Sequence, residues 1–177
     1  MPRLFSAIEI PATIAQRLAM LRSGLPGARW LAPENYHLTL RFIGDVDGPT
    51  AHDFAQALNE IDMPPFMLRL DGLGSFGGRK PRAIFAQLAT SEALEALRRA
   101  HDRAAREADV PPEGRNYTPH VTLARLRGTR ADDVARYLES QGFFQSEPFE
   151  VVRFVLYSSR ASVGGGPYVI EGDFPLG

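Results

Sequence analysis

The sequence predicts an α+β fold built on antiparallel or mixed sheets, and three observations carry the prediction. Strand-like and helix-like segments follow one another in the order βα-ββα-ββα-βα-ββ. Neighbouring strand segments are often joined by short turn-rich links such as GGRKP at 77–81, as hairpins require. No glycine-rich loop leads from a strand into a helix. GGRK and GGGP both lie between strand segments, so the dinucleotide-binding and P-loop readings fail on context.

The elements follow in order. Residues 3–10 (RLFSAIEI) mix β-branched and apolar residues and read as a strand. Pro11 opens a helical pattern over 12–21, with Ile14, Leu18 and Leu21 on one face. Residues 28–43 return to β character, with Pro33-Glu34-Asn35 as a turn before a strand over 36–43. A loop over 44–48 leads to Pro49 or Thr50, which starts a helix carrying Phe54, Ala57, Leu58 and Ile61 at helical spacing. Residues 66–76 alternate as a strand, and 82–88 are its antiparallel partner. Thr90 or Ser91 caps the longest helix, which runs to about 108 with Leu94, Leu97, His101 and Ala104 or Ala105 on one stripe. Beyond the PPEGRN loop, 117–126 is a strand and 129–141 a helix stopped by Gly142. The last two strands, 148–160 and 168–174, are joined through ASVGGGP.

The chain has 177 residues, 44% hydrophobic and 23% charged, enough for one globular domain over 1–177, or two small lobes, with a real core. A formal net charge of −1 argues against a bulk electrostatic grip on nucleic acid and leaves room for a local basic cleft. There is no cysteine, so disulfides, thiolate metal sites and a cysteine nucleophile are excluded. Ser6, Glu9 and Pro11 interrupt the N-terminal apolar stretch, so it has no export-signal core. No apolar run approaches the ~18 residues of a membrane span. A cytoplasmic protein that does not engage membranes is the expectation.

Two motifs carry chemistry. HLTL at 37–40 and HVTL at 120–123 use two of the four histidines. Chance recurrence of threonine at +2 and leucine at +3 is a roughly one-in-ten-thousand event. In a strand, residues i and i+2 share a face. His37 therefore lies beside Thr39, and His120 beside Thr122, with leucine and valine turned the other way. Two imidazoles near neutrality can serve as one acid and one base, and threonine hydroxyls can hold phosphoryl oxygens. That is phosphoryl transfer without a metal. The spacing supplies no third metal ligand of H-E-x-x-H or cysteine type, and neither metal nor cofactor is expected. By strict alternation Arg41 joins the catalytic face, while Phe42 and Arg125 fall on the opposite one unless the strands bulge.

Together with RLFSAIEIP, ENYHLTLRFIG, FGGRKPRAIFAQL, YTPHVTLAR and the closing LYSSR…GGGPYVI, the paired motifs resemble the 2H phosphoesterase superfamily. Specifically, they resemble the bacterial and archaeal RNA 2′,3′-cyclic phosphodiesterases, historically called 2′-5′ RNA ligases. The resemblance spans nearly the whole chain. It implies a bilobal fold, one antiparallel or mixed sheet per lobe with helices outside, and a central cleft where the histidines meet. It also implies opening of a 2′,3′-cyclic phosphate at an RNA end to a 2′-phosphate, with His120 as base and His37 as acid. Thr39, Thr122 and Arg125 would bind phosphate, and Phe42 would contact substrate. Arg41 is a further possible contact from alternation alone.

Other readings stand beside this one. The same cleft could bind a nucleotide or RNA end without turnover. It could act on another small cyclic nucleotide, such as ADP-ribose cyclic phosphate, or support reversible 2′-5′ ligation. His52 and His101 sit in helices with no partner pattern, and surface or packing roles are expected. Trp30 and Tyr36 are expected in the core or at the rim, Tyr168 beside the cleft, and the cations of GGRKPR at a solvated turn. A monomer is expected.

Overall fold

The computed structural model describes residues 3–114, 118–159 and 167–177. The strands are β1 (Arg3–Glu9), β2 (Ala28–Trp30), β3 (His37–Asp45), β4 (Phe66–Leu68), β5 (Leu70–Phe76), β6 (Ala83–Leu88), β7 (His120–Leu126), β8 (Phe149–Val151), β9 (Arg153–Ser159) and β10 (Tyr168–Pro175). The α-helices are α1 (Ala12–Ala19), α2 (Gly48–Asn59), α3 (Glu92–Glu107) and α4 (Ala131–Gln141). A 3-10 turn, Pro33–Asn35, precedes β3. The expected α+β class holds, and every described strand pair is antiparallel.

Eight strands form one sheet in the order β10-β9-β1-β3-β7-β6-β5, with β2 paired to β7. The two half-sheets expected of a bilobal fold are thus continuous, but only just. Between β3 and β7 the ladder consists of one residue pair, Leu38 with Val121. These are the second residues of the two H-x-T-L motifs. Past that crossing β3 runs away to pair with β1, while the rest of β7's edge is taken by β2. The two motif strands therefore cross at their beginnings, related by an approximate twofold through Leu38 and Val121.

Two long strands anticipated from sequence are each broken. Residues 66–76 divide into β4 and β5, and 148–160 into β8 and β9, with β4 and β8 forming a separate two-stranded ribbon. The helices start where their caps dictate. The Asp47 carboxylate accepts from Thr50 N–H at 2.8 Å and starts α2 at Gly48, before Pro49. Ser91, rather than Thr90, accepts from Leu94 N–H at 3.1 Å and starts α3. The residues expected to join the last two strands, at 161–166, and Tyr117 ahead of β7 lie outside the described residues.

Leu4, Ile8, Leu38, Leu40, Phe154 and Leu156 face the main core with Leu94, Leu97 and Ala104 of α3. The other face of the same strands carries a small cluster, Phe5, Ala7, Val155 and Tyr157, with Tyr168 packed against it. His101 lies wholly buried on the core side, as a packing histidine. Its Nδ1 shares a 2.7 Å hydrogen bond with Ser6 Oγ, and its ring meets Phe154 edge-on at 4.6 Å. Burial pushes its pKa down to about 3. His52 lies exposed on α2.

Candidate active site

The crossing of β3 and β7 assembles the cleft. Flanking an antiparallel pair, residues meet crosswise. His37 therefore comes opposite Thr122, and Thr39 opposite His120, all four on the face away from the core. A cleft of about 610 Å³ is lined by these four residues together with Phe42, Arg125, Arg3, Arg82, Phe5, Phe76, Tyr168 and Ser159. Among the described residues no carboxylate lines it, and three guanidiniums do.

Each histidine is aimed in the same way. Nδ1 of His37 lies 2.9 Å from the carbonyl of Asn35, and Nδ1 of His120 lies 2.7 Å from the carbonyl of Thr118, two residues back in each case. A carbonyl can only accept, so Nδ1 carries the proton in both rings. Nε2 is then the atom turned to chemistry, bare in the neutral ring and an N–H donor in the imidazolium. Thr39 Oγ1 lies 3.1 Å from Nε2 of His37 and can donate to it in the neutral ring.

Aromatic walls hold both rings. His37 packs against Phe5 at 5.1 Å, Tyr168 at 5.0 Å and Tyr157 at 6.0 Å. His120 packs against Phe76 at 4.9 Å and Phe85 at 5.5 Å, which stack on each other at 4.2 Å. Gly74 makes room for that stack, because a Cβ there would lie 2.8 Å from the Phe85 ring. Burial lowers the pKa of His37 to about 4. The carbonyl of Asn35 opposes that shift, and the nearby His120 and Arg125 add to it.

The alternation argument fails for Arg41, and the reason is a pair of bulges. On β3, Ser6 pairs with Arg41 and Ala7 with Thr39, so Leu40 is an extra residue. On β7, Ile84 pairs with Ala124 and Phe85 with Thr122, so Leu123 is an extra residue. In each strand two consecutive residues turn to the core, Leu40 with Arg41 and Leu123 with Ala124. Phe42 and Arg125 are thereby returned to the cleft face. Arg41 is 4% exposed on the far side of the sheet. Its guanidinium donates to Glu113 Oε2 at 2.8 Å and Pro111 O at 2.6 Å, with Asp102 at 3.7 Å. It borders a separate cavity of about 420 Å³ and does not line the cleft, so the substrate contact expected from alternation is not made.

The cleft also contains residues not anticipated. Arg3 and Phe5 belong to one face of β1 by period 2, a signal available in RLFSA. Arg82, at the end of the cationic turn, reaches the cleft. The turn is set by Gly77, whose φ is +104° and where an added Cβ would collide with Lys80 O, so that it admits no side chain. Tyr168 borders the cleft as expected. Trp30 is half-buried against Tyr137 at 5.8 Å, and Tyr36 is buried. No group of three or more His, Asp or Glu side chains able to hold a metal ion occurs among the described residues. No helix among them is long and apolar enough to cross a membrane.

Comparison with known proteins gives this geometry a context. The chain is 28% identical over 156 residues to the RNA 2′,3′-cyclic phosphodiesterase of Aquifex aeolicus, covering 84% of this chain and 82% of that one. It is 36% identical over 121 residues to the protein of the same name from Aeropyrum pernix, covering 64% and 68%. The crystal structure of E. coli LigT complexed with 3′-AMP superposes with a TM-score of 0.80 at 26% identity, over 99% of both chains. A family model described as LigT like Phosphoesterase matches residues 8–85 and 87–168, one histidine motif in each stretch. By that match, the chain with its two crossed His-x-Thr strands belongs to the LigT-like phosphoesterase family.

Proposed function

We propose that the protein hydrolyses the 2′,3′-cyclic phosphate end of RNA to a 2′-phosphate by acid-base catalysis from two histidines. The observation that carries the reading is the crossing itself. It sets two imidazoles, both with Nε2 directed to chemistry, and two hydroxyls around one space that, among the described residues, is lined by guanidiniums and no carboxylate. The names of the Aquifex aeolicus and Aeropyrum pernix relatives, and the 3′-AMP held by E. coli LigT, agree with a nucleotide phosphate there.

In this mechanism Nε2 of His120 takes a proton from water as water attacks phosphorus. Nε2–H of His37 gives a proton to the departing 3′ oxygen in line with the attack. Thr39 and Thr122 donate to the non-bridging oxygens, and Arg125 neutralises the charge they gather. Phe42, 47% exposed and stacked on Phe5 at 6.5 Å, offers a flat face to the terminal base. The unliganded cleft keeps His37 neutral, so the arriving phosphate must supply the negative charge that draws a proton onto it. The substrate thus helps to arm its own acid.

A single bilobal catalytic domain, a monomer in the cytoplasm, completes the proposal. The deciding experiment is product analysis on a defined oligonucleotide with a 2′,3′-cyclic phosphate end, with excess EDTA present. Release of 2′-phosphate supports the reading. Binding without turnover would assign the cleft to recognition alone, and loss of all activity with chelator would sink the metal-free mechanism.

A further inference from the structure

Beside the cleft, β2 and β7 place two arginines where sheet energetics oppose them. Arg29 pairs directly with Arg125 across the antiparallel ladder. Directly opposite residues share a face, with Cβ atoms about 5 Å apart, and like charges at such a pair are unfavourable. Ala28 and Trp30 pack towards the core, so Arg29 projects from the cleft face, and it is exposed. One strand period beyond Arg125, past the buried Leu126, stands exposed Arg127. On the other side of Arg125 its partner is Ala83, a small residue that leaves the groove open, and Arg82 follows. Among the described residues no carboxylate lies within ion-pair distance of any of these four cations. In a chain of net charge −1 these cations are concentrated on one face.

We infer that Arg29, with Arg127 beside it, is a second phosphate subsite that binds the phosphodiester immediately upstream of the terminal nucleotide in an RNA chain. An anion between Arg29 and Arg125 would convert their repulsion into a shared attraction. Arg125 belongs to the terminal phosphate, so the next anion along the chain falls to Arg29 and Arg127. The inference rests on the RNA-end reading above and adds that the protein selects a polynucleotide end over a cyclic mononucleotide.

The test compares Arg29→Gln and Arg29→Lys with the parent chain on two substrates, a 2′,3′-cyclic mononucleotide and a six-nucleotide RNA with a 2′,3′-cyclic phosphate end. The ratio of kcat/KM for RNA to that for the mononucleotide should fall about tenfold in Arg29→Gln, the worth of one charged hydrogen bond, and be largely kept in Arg29→Lys. In parallel, binding of a fluorescent six-nucleotide RNA ending in a 2′-phosphate is followed against salt. The slope of log affinity on log salt should lose about 0.7 in Arg29→Gln, the share of one single-strand phosphate contact. An unchanged ratio with an unchanged slope overturns the subsite. An equal loss on both substrates also overturns it, by making Arg29 a positioning residue for Arg125. If the parent chain turns over neither substrate, the RNA-end reading fails, and the salt slope alone decides the subsite.

Discussion

The assignment of acid and base can be read from the pH dependence of single-histidine variants. His37→Ala and His120→Ala should each lose about 10²–10⁴ in rate. What remains in each is the work of the other histidine. In His120→Ala the residual kcat/KM reports His37 in the free enzyme, where burial holds its pKa at about 4. If His37 is the acid, its protonated fraction falls roughly ninety-fold between pH 5 and pH 7, equivalent to about 2.7 kcal/mol. The residual rate should fall with it. Removing His120 also removes one of the smaller causes of the depressed pKa, so the midpoint moves up, yet the fall stays well above tenfold. If His37 were the base, its deprotonated fraction would change by only about a tenth over the same range. A flat or rising residual rate between pH 5 and pH 7 would therefore refute the assignment of His37 as acid. The assay is initial-rate hydrolysis of a 2′,3′-cyclic mononucleotide at constant ionic strength.

Three further outcomes follow from the same structure. His101 has a folded pKa of about 3 against about 6.5 unfolded, so the unfolded chain binds more protons between those values and stability falls as pH drops from 6.5. At pH 5 the loss from this residue is roughly 2 kcal/mol, and denaturant midpoints of His101→Leu should lack that share of the pH dependence. Arg41→Met should cost about 1–3 kcal/mol in thermal or denaturant stability, because Pro111 O loses its donor and β3 its tie to the 110–113 segment. KM for a cyclic mononucleotide should hold, since Arg41 lies behind the sheet. Gly74→Ala forces the Phe85 ring away from its new Cβ and so disturbs the wall behind His120. It should lower kcat and cost about 1–3 kcal/mol of stability, measured by turnover and thermal melting of the same preparation.

The α+β class, the helices and the two His-Thr pairs were legible because each rests on a local rule. Periodicity marks α1 to α4, and period 2 puts His37 with Thr39 and His120 with Thr122 on common faces. The breaks at Arg69 and Val152 were not legible. Each falls inside a run of good strand formers, and only pairing with a different partner strand reveals it. Nor was the fate of Arg41. Nothing in HLTLRF marks Leu40 as an extra residue, because a bulge is decided by the register of β1 against β3, a tertiary property. A lone arginine after an apolar run reads as exposed by default. Here Glu113, some seventy residues away in sequence, and the Pro111 carbonyl make its burial tolerable.

The bulges also answer why both motifs are followed by the same irregularity. A strand that must present an imidazole, a hydroxyl and a third group on one face can place them only at even separations. Phe42 stands five residues from His37, and Arg125 five from His120. Both separations are odd, so without one inserted residue each side chain would enter the core. Leu40 and Leu123 supply that change of parity at the same motif position in both strands. The twofold about Leu38 and Val121 therefore extends beyond H-x-T-L to backbone geometry. It ends at the third group, aromatic on one strand and cationic on the other. A symmetric pair of histidines cannot by itself tell one end of a substrate from the other. Phe42 against Arg125 can, since a base prefers the flat ring and a phosphate the guanidinium. In the proposed mechanism, the direction in which a nucleotide lies across the cleft, and with it the division of labour between the histidines, is set by the residues that the bulges bring forward.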